Sequence, residues 1–313
     1  MLREIARRLV ATIPVMGVVA IAVFGLLHVT PGDPAIIIAG DYATADDIAR
    51  VRTKLGLDKP FATQVGIWLG GLARGDLGAS IYSGLPVTTL IKQRTEATLA
   101  LTALAMLISV CVGVPIGVLA AWRRGSWLDR GVMVFAVSGF SMPTFWLGFL
   151  LVYVFAISLH WLPVQGFQPL ARGAWPFIRH LILPAITLSV VYMALIARMT
   201  RASMLGVLNE DFIRTAFAKG LAPRRVLVRH ALKNASLPVV TVIGIGFALL
   251  IGGAVVTESV FALPGLGRLT VDAIIRRDYP VIQGVILVVS GVYVLINLVV
   301  DVLYVVLDPR IKY

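Results

Sequence analysis

The fold class this sequence predicts is an all-α polytopic membrane protein, with six transmembrane helices and both termini on the inner face. Three observations carry that expectation. Of the 313 residues, 58% are hydrophobic and 14% charged, against roughly 25% charged in a soluble domain, and the mean hydropathy is +0.91. Six apolar stretches are each long enough to cross about 30 Å of hydrocarbon. Cations gather between alternate stretches, as the positive-inside rule requires. Length would admit one or two domains, but the apolar stretches cover most of the chain and favour one helical bundle. The net charge of +12 would suggest nucleic-acid binding in a soluble protein. Here the charge rule accounts for it, and no nucleic acid is expected.

The first element begins after Arg3, Arg7 and Arg8, with LVATIPVMGVVAIAVFGLLHV. Its apolar run of about 20 residues exceeds a signal-peptide core and no small-residue cleavage site follows. It is read as an uncleaved first span with the N-terminus inside. Residues 31–94 form the longest polar stretch. It opens on the turn Pro31–Pro34 and holds one surface helix of about ten residues in DYATADDIARVRTKLGLDKP, and its charges nearly balance. The second span covers 97–121, broken by Gly113, Pro115 and Gly117. The third covers 132–158, with Pro143 inside it. The fourth covers about 181–203 with Pro184 near its start, the fifth about 237–262, and the sixth about 281–307. Internal Pro and Gly are tolerated because neighbouring helices re-satisfy the backbone. Residues 159–180, rich in Trp, Pro and Gly, read as a short outer cap.

With the N-terminus inside, six spans return the C-terminus to the inside. Sixteen of the 28 Lys and Arg then fall on inner segments, eight of them between Arg198 and Lys233. Of the twelve on outer segments, seven lie in the long first loop, and long loops weigh little in this rule. Arg198–Pro238 therefore lies inside. It reads as two short helices. Asn209, Glu210 and Asp211 supply cap-type residues, FIRTAFAK gives about two turns, and Gly220 stops the helix. Pro223 opens the second, through RRVLVRHALKN. A two-turn helix is unstable alone in water, and the chain is expected to offer it no surface outside the lipid, so a partner protein on the inner face is inferred.

No enzyme motif is present. There is no Gly-Lys dipeptide and so no Walker A loop, no HExxH, and the four histidines are dispersed. The single Cys111 can form neither an intrachain disulfide nor a multi-cysteine metal site. Pro264–Arg268 (PGLGR) lacks the third glycine of a nucleotide loop and reads as a turn at a membrane exit. No cofactor or metal is expected. Ionisable residues near spans are functional candidates by default. Glu96 and Glu258, near outer ends, are candidates for the translocation path or outer gate, with structural hydrogen bonding as the alternative. Asn297 and Asp301 lie a turn apart on the sixth span. Gly244, Gly246, Gly252, Gly253 and Ala254 permit close helix packing, and the aromatics of MPTFWLGFLLVYVF read as interface belt and core.

At Arg214–Pro238 the sequence RTAFAKG followed by RRVLVRHALKNASLP resembles the cytoplasmic signature loop, the so-called EAA loop, of ATP-binding-cassette importer permeases. Arg214, Thr215 and Ala216 occupy the position of the Glu-Ala-Ala triplet ahead of Gly220, and Leu237-Pro238 follows 17 positions after that glycine. Those two departures resemble the dipeptide/oligopeptide/nickel branch. TPGDPA, GDLGASIYSGLPV, SMPTFWLG, ESVFALPGLGRLTVDAIIRRDYPVIQG and the terminal DPRIKY agree in order across nearly the whole chain, and the match is that of the first permease of a pair.

The resemblance implies a type I importer permease fold in a bacterial inner membrane, with 1–94 as first helix plus periplasmic loop, 95–307 as permease domain with a coupling loop at 204–236, and 308–313 as cytoplasmic tail. It implies a second homologous permease as heterodimer partner, two cytoplasmic ATPase subunits, a periplasmic binding protein that delivers cargo, and contact with membrane lipid. Asp211, Arg214, Thr215, Ala216, Ala218, Lys219, Gly220 and Pro223 would make the ATPase-coupling contact. Residues 31–94 and the loop after Glu258 would face the binding protein. With Arg214 where the wider family has an acid, Glu210 one turn earlier is positioned to pair with it, or the contact with the ATPase reverses sign. Di- or oligopeptide is the expected cargo, with nickel, glutathione or opine-like cargo as alternatives within the family. A proton-coupled carrier would need carboxylates at the midplane. A membrane-embedded enzyme would need a clustered catalytic set that the sequence does not contain.

Overall fold

A computed structural model describes residues 2–29, 34–39, 43–54 and 56–307. The described residues are mostly helical, with one isolated β-bridge between Ala79 and Pro86. TPGDPA lies mostly, and DPRIKY wholly, outside them. In order the helices are α1 (Leu2–Val29), α2 (Pro34–Ala39), α3 (Ala45–Lys54), α4 (Phe61–Ala73), α5 (Val87–Trp122), α6 (Trp127–Ser141), α7 (Thr144–Leu151), α8 (Ala174–Leu208), α9 (Asp211–Ala218), α10 (Pro223–Arg225), α11 (Lys233–Val260), α12 (Leu266–Ile275) and α13 (Tyr279–Leu307). Two compact units emerge. One holds Met1–Thr95 and Leu269–Val294, the other Glu96–Arg268 and Leu295–Tyr313.

Four helices are long and apolar enough to cross a membrane: Val87–Trp122, Ala174–Leu208, Pro223–Val260 and Tyr279–Tyr304. A fifth crossing follows if α6 and the helix through Ser158 count as one, although they meet at 104°. The expected third span, with Pro143 inside it, is therefore broken at that proline. Met142 leaves the helix in an extended conformation (ψ 124°), as a residue before proline must, and Pro143 starts α7. In α1 the long apolar run is the shorter Val10–Gly25.

The spans are longer than expected. α5 has 36 residues, α8 has 35 and Pro223–Val260 has 38. At 1.5 Å per residue that is about 52–57 Å, well beyond the hydrocarbon thickness of about 30 Å. α8 starts at Ala174, so the last residues of the expected outer cap are helical and Pro184 lies ten residues in. Polar residues at a helix end do not stop it. Hydropathy marks where a helix leaves lipid, whereas capping and backbone geometry mark where it ends.

In the first unit, α3 is capped by Thr44, whose hydroxyl accepts from the Asp47 amide at 3.3 Å while the Asp47 carboxylate accepts from the Thr44 hydroxyl at 2.6 Å. That hydroxyl hydrogen bond holds the exposed Asp47 carboxyl below the usual carboxylate range. In the same unit the 75–87 segment meets the start of α13. Asp278, 5% exposed, accepts from the Ser80 hydroxyl at 2.5 Å and the Ile81 amide at 3.1 Å, and Arg276 lies 4.1 Å from the centre of the Tyr82 ring. Gly284 leaves no space for a Cβ against Val87.

In the second unit the core runs along α5, α7, α8 and α11, through Leu101, Met106, Leu183, Leu188, Ile196, Leu250 and Phe261. Glycines set its tightest approaches. A Cβ on Gly113 would lie 2.9 Å from the Met193 carbonyl oxygen, and one on Gly117 would lie 2.6 Å from that of Ala197. α5 and α8 therefore touch backbone to backbone, as small residues permit.

Candidate functional site at the α9 helix

α9 (Asp211–Ala218) is the short helix expected over 212–219, but its surroundings differ from expectation. Ile213 is 1% and Ala216 7% exposed, buried with Val118 and Ala121 of α5, Met204 of α8, Val226, Leu227 and Ala231 beyond α10, and Ala235 of α11. The chain does supply a surface for α9, because the long helices run past the lipid thickness and their ends form a platform. The expected second short helix is not separate either. Pro223 sits at its first turn, and a π-helical segment, Val226–Leu232, carries it straight into α11. Hydrogen bonding with a π register lets the helix continue through the polar sequence.

Only the other face of α9 is left open to a partner. Asp211, Phe212, Arg214, Thr215, Phe217, Ala218, Lys219, Gly220 and Pro223 are exposed, whereas Ala216 faces the platform. Gly220 has φ +76°, a left-handed conformation that a side chain would strain, and its amide donates to the Phe217 carbonyl at 2.9 Å. Arg214 does not pair with Glu210. Its guanidinium reaches the Asp211 carboxylate at 3.3 Å, with side chains 75% and 94% exposed, and such an exposed pair leaves both charges open to a partner. Phe217 stacks on Trp122 at the end of α5, centroids 6.1 Å apart. Nothing in the sequence around Trp122 signals that contact.

The carboxylate candidates lie elsewhere. Glu258 is fully buried near the end of α11. One carboxylate oxygen accepts from the Thr98 hydroxyl at 2.6 Å and the other from the Arg268 amide at 2.9 Å. The Leu266 amide in turn donates to the Thr98 hydroxyl at 2.8 Å. A Cβ on Gly265 would overlap this carboxylate, and one on Gly267 would come within 2.9 Å of it. The PGLGR turn is wrapped around an acid, with its glycines making room. Glu96 is exposed and accepts from the Leu170 amide at 2.9 Å. Glu96 and Glu258 do not share a partner in these contacts. No group of three or more His, Cys, Asp or Glu able to hold a metal is found among the described residues.

The whole chain can be matched to known proteins on this frame. Residues 113–313 match the family described as binding-protein-dependent transport system inner membrane component, and 1–102 match its N-terminal companion. The chain belongs to this family. It is 54% identical over 99% of both chains to a probable peptide ABC transporter permease protein, y4tP, of Sinorhizobium fredii. It is 44% identical over the full length of both chains to the dipeptide transport system permease protein DppB of Alkalihalophilus pseudofirmus. It is 46% identical, again over both full lengths, to the glutathione transport system permease protein GsiC of Escherichia coli. In fold it is similar to a chain of the inward-facing MetNI methionine ABC transporter, with TM-score 0.59 and 21% identity over 71% of this chain and 97% of that one.

The permease is accordingly a multi-pass inner-membrane subunit of an ATP-binding-cassette transporter. It is a transport component, not an enzyme. Family membership implies that it works with an ATPase and a binding protein. The two segments whose resemblance was noted at 75–87 and 258–284 are brought into contact within the first unit through Ser80 and Asp278.

Proposed function

We propose that this permease forms half of the translocation path for di- or oligopeptides, beside a second, homologous permease. A periplasmic binding protein delivers the cargo, and two cytoplasmic ATPases drive the cycle. The observation that carries the reading is α9. A helix of eight residues has its apolar side seated on the ends of α5, α8 and α11, and it offers Asp211, Arg214, Thr215, Ala218, Lys219 and Gly220 outward with Pro223 beside them. A rigid platform of that kind can pass a push from a docked ATPase into three long helices at once. Its relatives named for peptide and dipeptide transport favour peptide cargo.

On this reading α1 and the bent α6–α7 pair complete six crossings, α9 and both termini are cytoplasmic, and residues 95–307 constitute the permease domain. Glu258 acts at the outer gate by shaping the 262–268 turn, and Glu96 by anchoring the chain at Leu170. ATP is hydrolysed on the partner chains. Gly220→Asp is the direct test. The importer should insert normally but fail to retain its ATPases and fail to take up labelled dipeptide in proteoliposomes. Uptake at the parental rate would sink the coupling assignment. Competition of that uptake by glutathione but not by unlabelled dipeptide would move the cargo to glutathione.

A further inference from the structure

The cluster around Ile213 holds residues of α5, α8, α9, α11 and the π-helical segment before α11, but among the described residues none from α6. α6 nevertheless leads into the 104° bend to α7, and it packs on α8 at two levels. One is Gly139, where a Cβ would lie 3.2 Å from the Ala194 Cβ. The other is Asp129, 4% exposed at the third position of α6. There the Arg201 guanidinium donates through Nε to one carboxylate oxygen and through its terminal nitrogen to the other, the latter at 2.9 Å. The second oxygen also accepts from the Gly125 amide at 2.9 Å, and the Asp129 amide donates to the Ser126 hydroxyl at 3.3 Å. Arg201 stands one turn before Met204, which packs with Ile213. The 123–126 turn so gripped follows directly on Trp122, the residue under Phe217.

We propose that Asp129 and Arg201 are positioning residues for energy coupling: they clamp the start of α6 to α8, so that displacement of α9 moves the bent α6–α7 helix together with α5 and α8. The proposal rests on the coupling reading of α9. A bidentate fork holds direction as well as distance. A buried ion pair is a weak source of stability compared with apolar packing of the same volume, so stability alone is a poor reason to bury one here. Every polar group on the 125–129 turn that the pair engages is fixed in register with α8. Lysine could keep the charge but not the two parallel bonds.

The test uses the complete importer in proteoliposomes with its ATPases and binding protein, carrying Arg201→Lys, Asp129→Asn or the exchange Asp129→Arg/Arg201→Asp. Dipeptide uptake and ATP hydrolysis are measured on the same vesicles. The expected result is normal assembly and sustained hydrolysis in Arg201→Lys, with uptake per ATP falling about tenfold, inside the usual range for coupled sites. The exchange should recover part of that ratio. An unchanged ratio overturns the proposal. So does a parallel fall of uptake, hydrolysis and assembly in Arg201→Lys, which would assign the pair to folding. Gly220→Asp in the same assay separates the two levels. If Gly220→Asp abolishes uptake while Arg201→Lys leaves the ratio intact, only the clamp fails; if Gly220→Asp transports normally, the coupling reading itself fails.

Discussion

Replacing Gly117 by alanine tests the close approach on which the α9 platform depends. The new Cβ would lie 2.6 Å from the Ala197 carbonyl oxygen, 2.7 Å from the Thr200 Cβ and 3.1 Å from its methyl group. Ordinary contact begins near 3.4 Å, so α5 and α8 must part by nearly an ångström. The first obstacle is backbone, so no rotamer change relieves it. Overpacking of this kind costs about 1–3 kcal/mol. Against it stands the helix-propensity gain of up to about 1 kcal/mol for removing a helical glycine. Gly131→Ala in α6 is the control, because a Cβ there meets nothing within 4 Å and only the gain applies. The two variants should therefore differ by about 1–3 kcal/mol, with Gly131→Ala at or above the parent. Thermal unfolding of the purified importer in detergent, followed by the fraction remaining monodisperse, measures the order. If Gly117→Ala is as stable as Gly131→Ala, the two helices are not in backbone contact and the platform argument loses its base.

Ile213→Asp puts an unpaired acid into the cluster under α9, and should cost several kcal/mol locally. Co-purification of the ATPases should be lost while the chain still inserts. Glu258→Ala strands the Arg268 amide without its acceptor, at about 1–3 kcal/mol, and should expose the 262–268 turn to protease, whereas Glu258→Gln retains a nearly isosteric side chain and should be milder. Gly265→Ala should behave like Glu258→Ala, since either change breaks the fit between turn and carboxylate. The α3 cap should be pH-dependent. The Asp47 carboxyl is held below its usual range by Thr44, so the cap is intact above that range and is lost as pH falls through the lowered value. Faster amide exchange at the start of α3 in acid, moving to higher pH in Thr44→Ala, would show it.

The sequence alone determined the class and the family, and it predicts the side of the membrane on which α9 lies. Each follows from quantities local to a segment: apolar length, cation placement, the Gly that stops α9 and the Pro that opens the next helix, and motif order. The short helix and its glycine stop were equally readable, since capping and turn chemistry depend on neighbours in sequence. The structure alone decided what α9 rests on. Hydropathy shows where lipid ends, not where a helix ends, so the protruding ends of α5, α8 and α11, and with them a seat for Ile213, could not be seen. The partner of Arg214 was likewise undecided by spacing, because three- and four-residue separations are both in reach on a helix, and rotamer geometry selected Asp211. Glu258 shows the same limit. Its position near a helix end was legible, but the donors and glycines that enclose it come from residues 98 and 265–268, and only folding brings them to one carboxylate.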